Sequence, residues 1–281
     1  MKLITTTIAA VLLAGCAATQ SQNSAELHSA EGNATGHKDN PAEQKAKTPS
    51  ISIHKAARFG DIAAVRQHLL TGTDPNLNQH RPNRPLFYAN DIEILTLLVE
   101  NGADVNDIGG GRTALHVHRN PKNVMFLVKH GADIKATDDF GVTPLHTAGD
   151  YPETVKFLVS KGADVNAIDD DGNTPLHEML DGYLYMQKES VEILITAGAN
   201  VNALNFDGLT PLDNFLTKLI AARRHEKLKR ELEELLRKHG AKTSEELNHL
   251  NKEKIEDKGD GEGERLATPF PVLPGRPRRR G

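Results

Sequence analysis

From about residue 51 onward, apolar side chains return at three- and four-residue spacing in short blocks. The clearest blocks are Leu95/Leu98/Val99, Val124/Leu127/Val128, Val155/Leu158/Val159 and Val191/Leu194/Ile195. Residues at i, i+3 and i+4 share one helix face, so each block predicts a helix with a single buried stripe. Each block runs into a glycine, then a small residue, an acid or amide, and usually asparagine two positions further on. The copies are Gly72-Thr73-Asp74-Pro75-Asn76, Gly102-Ala103-Asp104-Val105-Asn106, Gly131-Ala132-Asp133-Ile134-Lys135, Gly162-Ala163-Asp164-Val165-Asn166 and Gly198-Ala199-Asn200-Val201-Asn202, with a partial copy at Gly240-Ala241. Their spacings are 30, 29, 31, 36 and 42 residues. Glycine is the residue that best takes the left-handed conformation just past a helix end. A second mark is Thr-Pro-Leu-His, complete at Thr143 to His146 and Thr174 to His177 and nearly so at Thr113 to His116. Variants stand at Arg84 to Phe87 and Thr210 to Asp213. Proline suits a first helical turn, where its missing N–H has no partner to lose. Turn signals lie between copies at Asp139-Phe140-Gly141, Asp170-Asp171-Gly172 and Phe206-Asp207-Gly208. The pattern predicts an all-α chain of helix pairs joined by hairpin-like turns. One pair cannot bury its stripe alone, but stacked neighbours bury a continuous core.

Two marks at a period near 33 resemble the ankyrin repeat. The resemblance covers about residues 51–242 and implies an ankyrin-repeat solenoid of about six helix-pair repeats. Some copies depart from the usual length. From the proline position to the stripe, the second to fourth repeats are about two or three residues short, the fifth about three long and the last about nine long. The short copies are expected to trim the turn between their helices. The last is expected to carry one long charged helix from about Leu216 to His239, a soluble cap for the stack. Beyond Gly240, Thr243-x-x-Glu246 reads as a capping box and predicts a short helix over 243–257.

In the ankyrin family the hairpin tips and first helices line a concave binding face, so the resemblance implies a protein partner. The tips change sign along the chain. The first carries His80, Arg81 and Arg84; later ones carry Asp107, then Asp138 and Asp139, then Asp169, Asp170 and Asp171, then Asp207. Aromatic residues are scarce, which draws attention to Phe140 and Phe206 at tips and to Tyr183, Tyr185 and Met186 in the enlarged turn of the fifth repeat. These serve either as interface anchors or as core. His54, His116, His146 and His177 recur one per repeat, too far apart for a shared metal ion. The resemblance implies that they make structural hydrogen bonds near the repeat turn.

The N-terminus is a separate unit. Lys2 precedes an apolar stretch from Leu3 to Leu13, long enough for a signal segment and shorter than the roughly 20 residues of a spanning helix. It ends at Leu13-Ala14-Gly15-Cys16, which resembles the lipobox of bacterial lipoproteins. That resemblance implies cleavage after residue 15, acyl chains on Cys16 and a membrane anchor. Residue 17 is Ala rather than the Asp associated with inner-membrane retention, so the expected location is the outer membrane, facing the periplasm. Residues 16–50 read as a lipidated cysteine and polar tether of roughly 30 Å end-to-end distance. Residues 258–281 read as a disordered basic tail.

Composition bears on function mainly by exclusion. The chain has 281 residues, 26% of them charged, a net charge of −4 and a single cysteine. No basic excess points to nucleic acid. Asp169-Asp170-Asp171-Gly172 resembles the start of a calcium loop, but Thr174 and Leu180 stand where glycine and glutamate are needed. His177-Glu178 lacks the second histidine of a zinc-protease helix. With no phosphate loop, dinucleotide fingerprint or nucleophile elbow, neither an enzyme nor a cofactor is expected, and a monomer is. A periplasmic ankyrin lipoprotein resembles immunity proteins that block antibacterial effectors, phospholipases among them. The alternative is a structural or stress-related scaffold for a periplasmic enzyme or envelope complex.

Overall fold

The computed structural model describes residues 48–78, 84–181, 187–219 and 226–256. Cys16, Arg81, Tyr183 and Tyr185, together with segments 1–47 and 257–281, lie outside the described residues. Among those described, thirteen α-helices occur and no strand, the one β-type contact being an isolated bridge between Gly109 and Arg112.

The helices come in six pairs: α1 (Ile53–Phe59) with α2 (Ile62–Leu70), α3 (Pro85–Tyr88) with α4 (Ile92–Glu100), α5 (Ala114–Val117) with α6 (Pro121–Lys129), α7 (Pro144–Thr147) with α8 (Pro152–Ser160), α9 (Pro175–Asp181) with α10 (Lys188–Thr196), and α11 (Pro211–Leu219) with α12 (Glu226–Lys238). A final helix, α13 (Ser244–Glu256), follows. First helices touch first helices and second helices touch second helices in sequence order, which makes two layers. Between the layers runs one core. Leu86, Leu115, Leu145, Leu176 and Leu212 hold the same position in successive first helices and are all buried. Facing them, Leu95/Leu98, Val124/Leu127, Val155/Leu158 and Val191/Leu194 are buried on the second helices. Each such side chain contributes about 1.5–3 kcal/mol, and no single pair could withdraw its stripe from water. The third member of each stripe, Val99, Val128, Val159 or Ile195, is only half-buried against its neighbour.

One length expectation is corrected. The short repeats lose residues from the first helix, not from the turn. Helices α3, α5 and α7 are four residues each, against seven in α1, whose connection to α2 is only Gly60-Asp61. Pro121 and Pro152 explain the wide connections in the third and fourth repeats. Proline drives the residue before it out of the helical region, and Asn120 and Tyr151 are accordingly non-helical. The third repeat makes use of the freed segment: His118, just past α5, is buried and bonds through Nε2 to the Leu86 carbonyl of the preceding first helix (2.8 Å). In the last repeat α11 extends to Leu219 and α12 begins at Glu226 and buries Leu232 and Leu236; the stretch between them, within the expected charged helix, lies outside the described residues. The capping box before α13 closes from both sides. Glu246 accepts from the Thr243 N–H (2.8 Å), and Thr243 Oγ1 accepts from the Glu246 N–H (3.2 Å).

Candidate protein-recognition surface

Three columns of polar side chains join neighbouring repeats and fix what remains exposed. The first is the histidine column. His116 Nε2 lies 2.9 Å from the Val142 carbonyl, His146 Nε2 3.1 Å from that of Asn173, and His177 Nε2 3.1 Å from that of Leu209. A carbonyl partner requires the proton on Nε2, which leaves Nδ1 to accept. It does so from the backbone N–H of the helix-capping threonines, Thr113 (3.2 Å), Thr143 (3.1 Å) and Thr174 (3.1 Å). Each imidazole therefore closes its own helix and pins the next hairpin. Burial holds His116, His118, His146 and His177 below the ordinary histidine pKa, opposed by their backbone hydrogen bonds. His54 differs. Its helix is capped by Ser52, only two positions before it, and its ring meets Tyr88 edge-on.

The last copy of the motif ends in Asp213, and the change has a physical reason. No hairpin carbonyl follows; a helix N-terminus does. Asp213 Oδ2 accepts from the N–H of Thr210 (2.9 Å) and from that of Ser244 (2.8 Å), the first residue of α13. An acceptor replaces a donor where the stack stops.

The asparagine column explains the glycine mark. Its acid or amide closes the local turn, as when Asp104 Oδ1 accepts from the Asn106 N–H (2.8 Å). The asparagine then reaches the next copy with both ends of its amide. Asn76 donates to the Gly102 carbonyl (2.8 Å) and accepts from the Asp104 N–H (2.8 Å). Asn106 does the same to Gly131 and Asp133, Asn166 to Gly198 and Asn200, and Asn202 to Gly240 and Lys242. Between the third and fourth repeats Lys135 holds this position. Its local turn is intact, with Asp133 Oδ1 2.8 Å from its N–H. An ammonium has no acceptor oxygen, so it makes no such rung. The third column has no repeated letter. Buried Asn123, Thr154 and Ser190 donate to the carbonyls of Asn90 (3.2 Å), Arg119 (2.7 Å) and Gly149 (2.7 Å) in the preceding inter-helix turns.

At the hairpins, adjacent acids have opposite fates. Asp138 and Asp169 are withdrawn from the expected partner-contacting set because both are buried. Asp138 Oδ1 accepts from the N–H of Phe140 (2.9 Å) and Val142 (3.0 Å), and its other oxygen meets Arg112 (3.0 Å). Asp169 Oδ1 accepts from Asp171 (2.9 Å) and Asn173 (2.8 Å), and Asn205 plays the same part in the next hairpin. Arg84 is also occupied. It grips Asp107 through Nε (2.6 Å) and Nη2 (3.1 Å) and donates to the Asn76 carbonyl (3.0 Å). Phe206 is half-buried over the preceding tip, where a side-chain carbon at Gly172 would meet its ring and backbone N at 2.8 Å.

Asp139, Phe140, Asp170, Asp171 and Asp207 do face solvent, Phe140 with 53% of its surface. Two residues absent from the sequence expectation join them, Ile108 at 60% and Ile168 at 55% exposed. They share one hairpin register, occupied by Asn78, Thr137 and Leu204 in the other copies, so the apolar residue there is not constant along the stack. Backbone bonds tie the tips together. The N–H groups of Asp139, Asp170 and Phe206 donate to Gly111 O (3.1 Å), Phe140 O (2.9 Å) and Asp171 O (3.0 Å). The result is a stiff edge on which apolar side chains alternate with carboxylates. Little ordering is left to do when a partner docks, which favours affinity. Among the described residues, no cluster of His, Cys, Asp or Glu is arranged to hold a metal ion, and no helix is long and apolar enough to cross a membrane.

A solenoid of helix pairs with a stiff, exposed hairpin edge is a scaffold for recognising another protein. The chain belongs to the ankyrin-repeat family: the profile described as "Ankyrin repeats (3 copies)" matches residues 53–138 and 117–205, more than half of its length. Among curated proteins, the chain is similar to ankyrin repeat and SOCS box protein 3 of Bos taurus, 36% identical over 108 residues, which is 36% of this chain and 21% of that protein. It is also similar to an ankyrin repeat protein of fowlpox virus, 36% identical over 106 residues, 34% of this chain and 31% of that protein. The matched part thus spans about a fifth to a third of these relatives.

Proposed function

We propose that this chain is a membrane-tethered binding protein whose hairpin edge docks a basic protein in the periplasm. In the finer form of the proposal it is an immunity protein that occludes an antibacterial effector such as a phospholipase. The observation that carries the binding reading is the row of exposed Asp139, Asp170, Asp171 and Asp207 interleaved with Ile108, Phe140 and Ile168. Carboxylates steer a cationic partner, and the apolar side chains supply the area buried on contact. The tether rests on Leu13-Ala14-Gly15-Cys16 and the polar segment that follows. A lipid anchor at Cys16 holds the stack on the outer-membrane side where a delivered effector would act.

Two experiments test the two halves separately. Cys16→Ser is expected to move the protein from the membrane to the soluble fraction with its thermal unfolding unchanged; continued membrane fractionation refutes the anchor. A deletion strain is expected to be killed in contact with its own parent strain, and rescued by the intact gene but not by one carrying Ser at positions 139, 170, 171 and 207. Equal survival of deletion and parent refutes immunity. Recovery of a bound periplasmic enzyme with unaltered activity establishes the scaffold in its place.

A further inference from the structure

The second-helix layer carries a surface unlike the hairpin edge. Between α6 and α8 lies a cavity of about 510 Å³. Its floor and walls are Met125, Phe126, Val128 and Phe157; its charged lining is Lys122, Lys129 and Lys161, with no carboxylate. On α6 the positions Lys122, Met125, Phe126 and Lys129 fall at i, i+3, i+4 and i+7, one solvent-facing stripe with apolar residues at its centre and a cation at each end. Met125 is 50% exposed, and its unbranched thioether can adapt to different partners. Both walls are braced. The Phe126 ring lies 4.0 Å from that of His130, and Lys161 Nζ sits 5.7 Å from the Phe157 ring centre. Among the described residues none of the three lysines enters an ion pair. The neighbouring groove between α8 and α10 is different, because Glu189 and Glu192 stand in its lining.

We propose that the α6/α8 groove is a second docking site, and that its occupant is an acidic amphipathic helix of a partner protein. A recess between two neighbouring helices receives the ridge of a third, with apolar residues at i, i+3 and i+4 entering the groove. The unpaired rim lysines then select a helix whose flanks carry Glu or Asp. Shape favours a helix over a bilayer, since Phe126 and Phe157 are recessed rather than protruding. The surface is built by helix faces and not by the hairpin edge, so it can be occupied independently of it.

The probe is a capped synthetic helix of about 18 residues, long enough to be partly helical alone, with Leu at i, i+3, i+4 and i+7, Glu on both flanks and Ala elsewhere. Its charge-reversed twin carries Lys for Glu. Binding to the full chain is read by fluorescence anisotropy, with Cys16→Ser in every sample. The acidic peptide is expected to bind at least about tenfold more tightly than its twin, and Lys122→Glu/Lys129→Glu/Lys161→Glu is expected to invert that preference. Met125→Asp is expected to abolish binding of the acidic peptide. Circular dichroism melts confirm folding of each variant, and all altered side chains are exposed or on the rim. Ser at Asp139, Asp170 and Asp171 is expected to leave affinity unchanged. Three results overturn the proposal: no preference between the peptides, binding indifferent to the lysine and Met125 changes, or no peptide binding together with lysine-dependent sedimentation on phosphatidylglycerol vesicles, which would mark the groove as a lipid contact.

Discussion

The seam between the third and fourth repeats and the seam between the fourth and fifth bury equivalent apolar residues but are joined differently. At the later seam His146, Asn166 and Ser190 each reach across, one from each polar column. At the earlier one His116 and Thr154 reach across, while Lys135 leaves the asparagine rung unmade. Apolar contact is tolerant of small sliding, whereas the polar columns fix how far one repeat is turned against the next. Along its hairpin side the earlier seam is held by His116, by the Arg112–Asp138 pair and by the Asp139 N–H on the Gly111 carbonyl, without the asparagine rung. It also carries Phe140 on its hairpin edge and the basic groove between its second helices, so both candidate binding surfaces cross the joint that lacks the asparagine rung.

The largest expected effect follows from that missing rung. His116→Ala removes the acceptor for the Thr113 N–H and the donor to the Val142 carbonyl and leaves a cavity, at a cost of roughly 3 kcal/mol. His146→Ala makes the same deletion where the asparagine rung survives. Urea unfolding followed by circular dichroism is expected to show two transitions for the first variant and one, shifted, for the second. A single transition in both would mean that the missing rung does not weaken cooperation between the halves.

Acid acts on the whole histidine set. The folded pKa values of His116, His118, His146 and His177 are depressed, first by burial, so the unfolded chain binds more protons than the stack at mildly acidic pH. Stability is accordingly at its full value above about pH 6.5, the unfolded histidine value, and falls as pH is lowered through it towards the depressed folded values. Denaturation midpoints taken between pH 7.5 and 5.5 are expected to drop steadily, and His177→Asn is expected to flatten the slope. A midpoint independent of pH would show that these imidazoles protonate equally in both states.

A smaller effect repairs the joint. Lys135→Asn supplies the amide that Asn106 and Asn166 use at the same turn, and is expected to stabilise by about 1 kcal/mol, since each net hydrogen bond contributes roughly that much. Asn166→Lys is expected to destabilise by a similar amount and to make the later seam resemble the earlier. The comparison of seams fails if both substitutions are silent in chemical denaturation.

Much of this stack is legible in the letters. Helix stripes and closing glycines are local signals, so the repeat number and the helix-pair fold follow from spacing alone. The asparagine is visible as a letter, but not its reach to the next copy, because that depends on how repeats stack. The Asn123/Thr154/Ser190 column is harder still. Its members share only a small side chain with a hydrogen to donate, and a family profile of letters has nothing to repeat. The short first helices reflect the same gap: a count of residues shows that something is missing, but not whether it comes from helix or turn. At the tips, identical neighbours such as Asp138 and Asp139 are separated only by hairpin register, one folded into the turn and one facing water.

That register makes the most discriminating prediction. Asp169 and Asp170 are adjacent, chemically identical and equally acidic in sequence. Asp169→Ala strips the acceptor from two backbone N–H groups and is expected to destabilise by about 1–2 kcal/mol. Asp170→Ala removes an exposed carboxylate whose backbone, not side chain, holds the neighbouring tip, and is expected to stay within about 0.5 kcal/mol of the parent. Partner binding should rank the two in the opposite way once each is compared at equal folded fraction. Asp170→Ala weakens a cationic partner, because it takes a charge from the exposed edge. Asp169→Ala does not, because its carboxylate already belongs to the turn. Equal losses of stability, measured by thermal unfolding of the two single variants, would mean that the tips are held by something other than the register that hides one acid and presents the next.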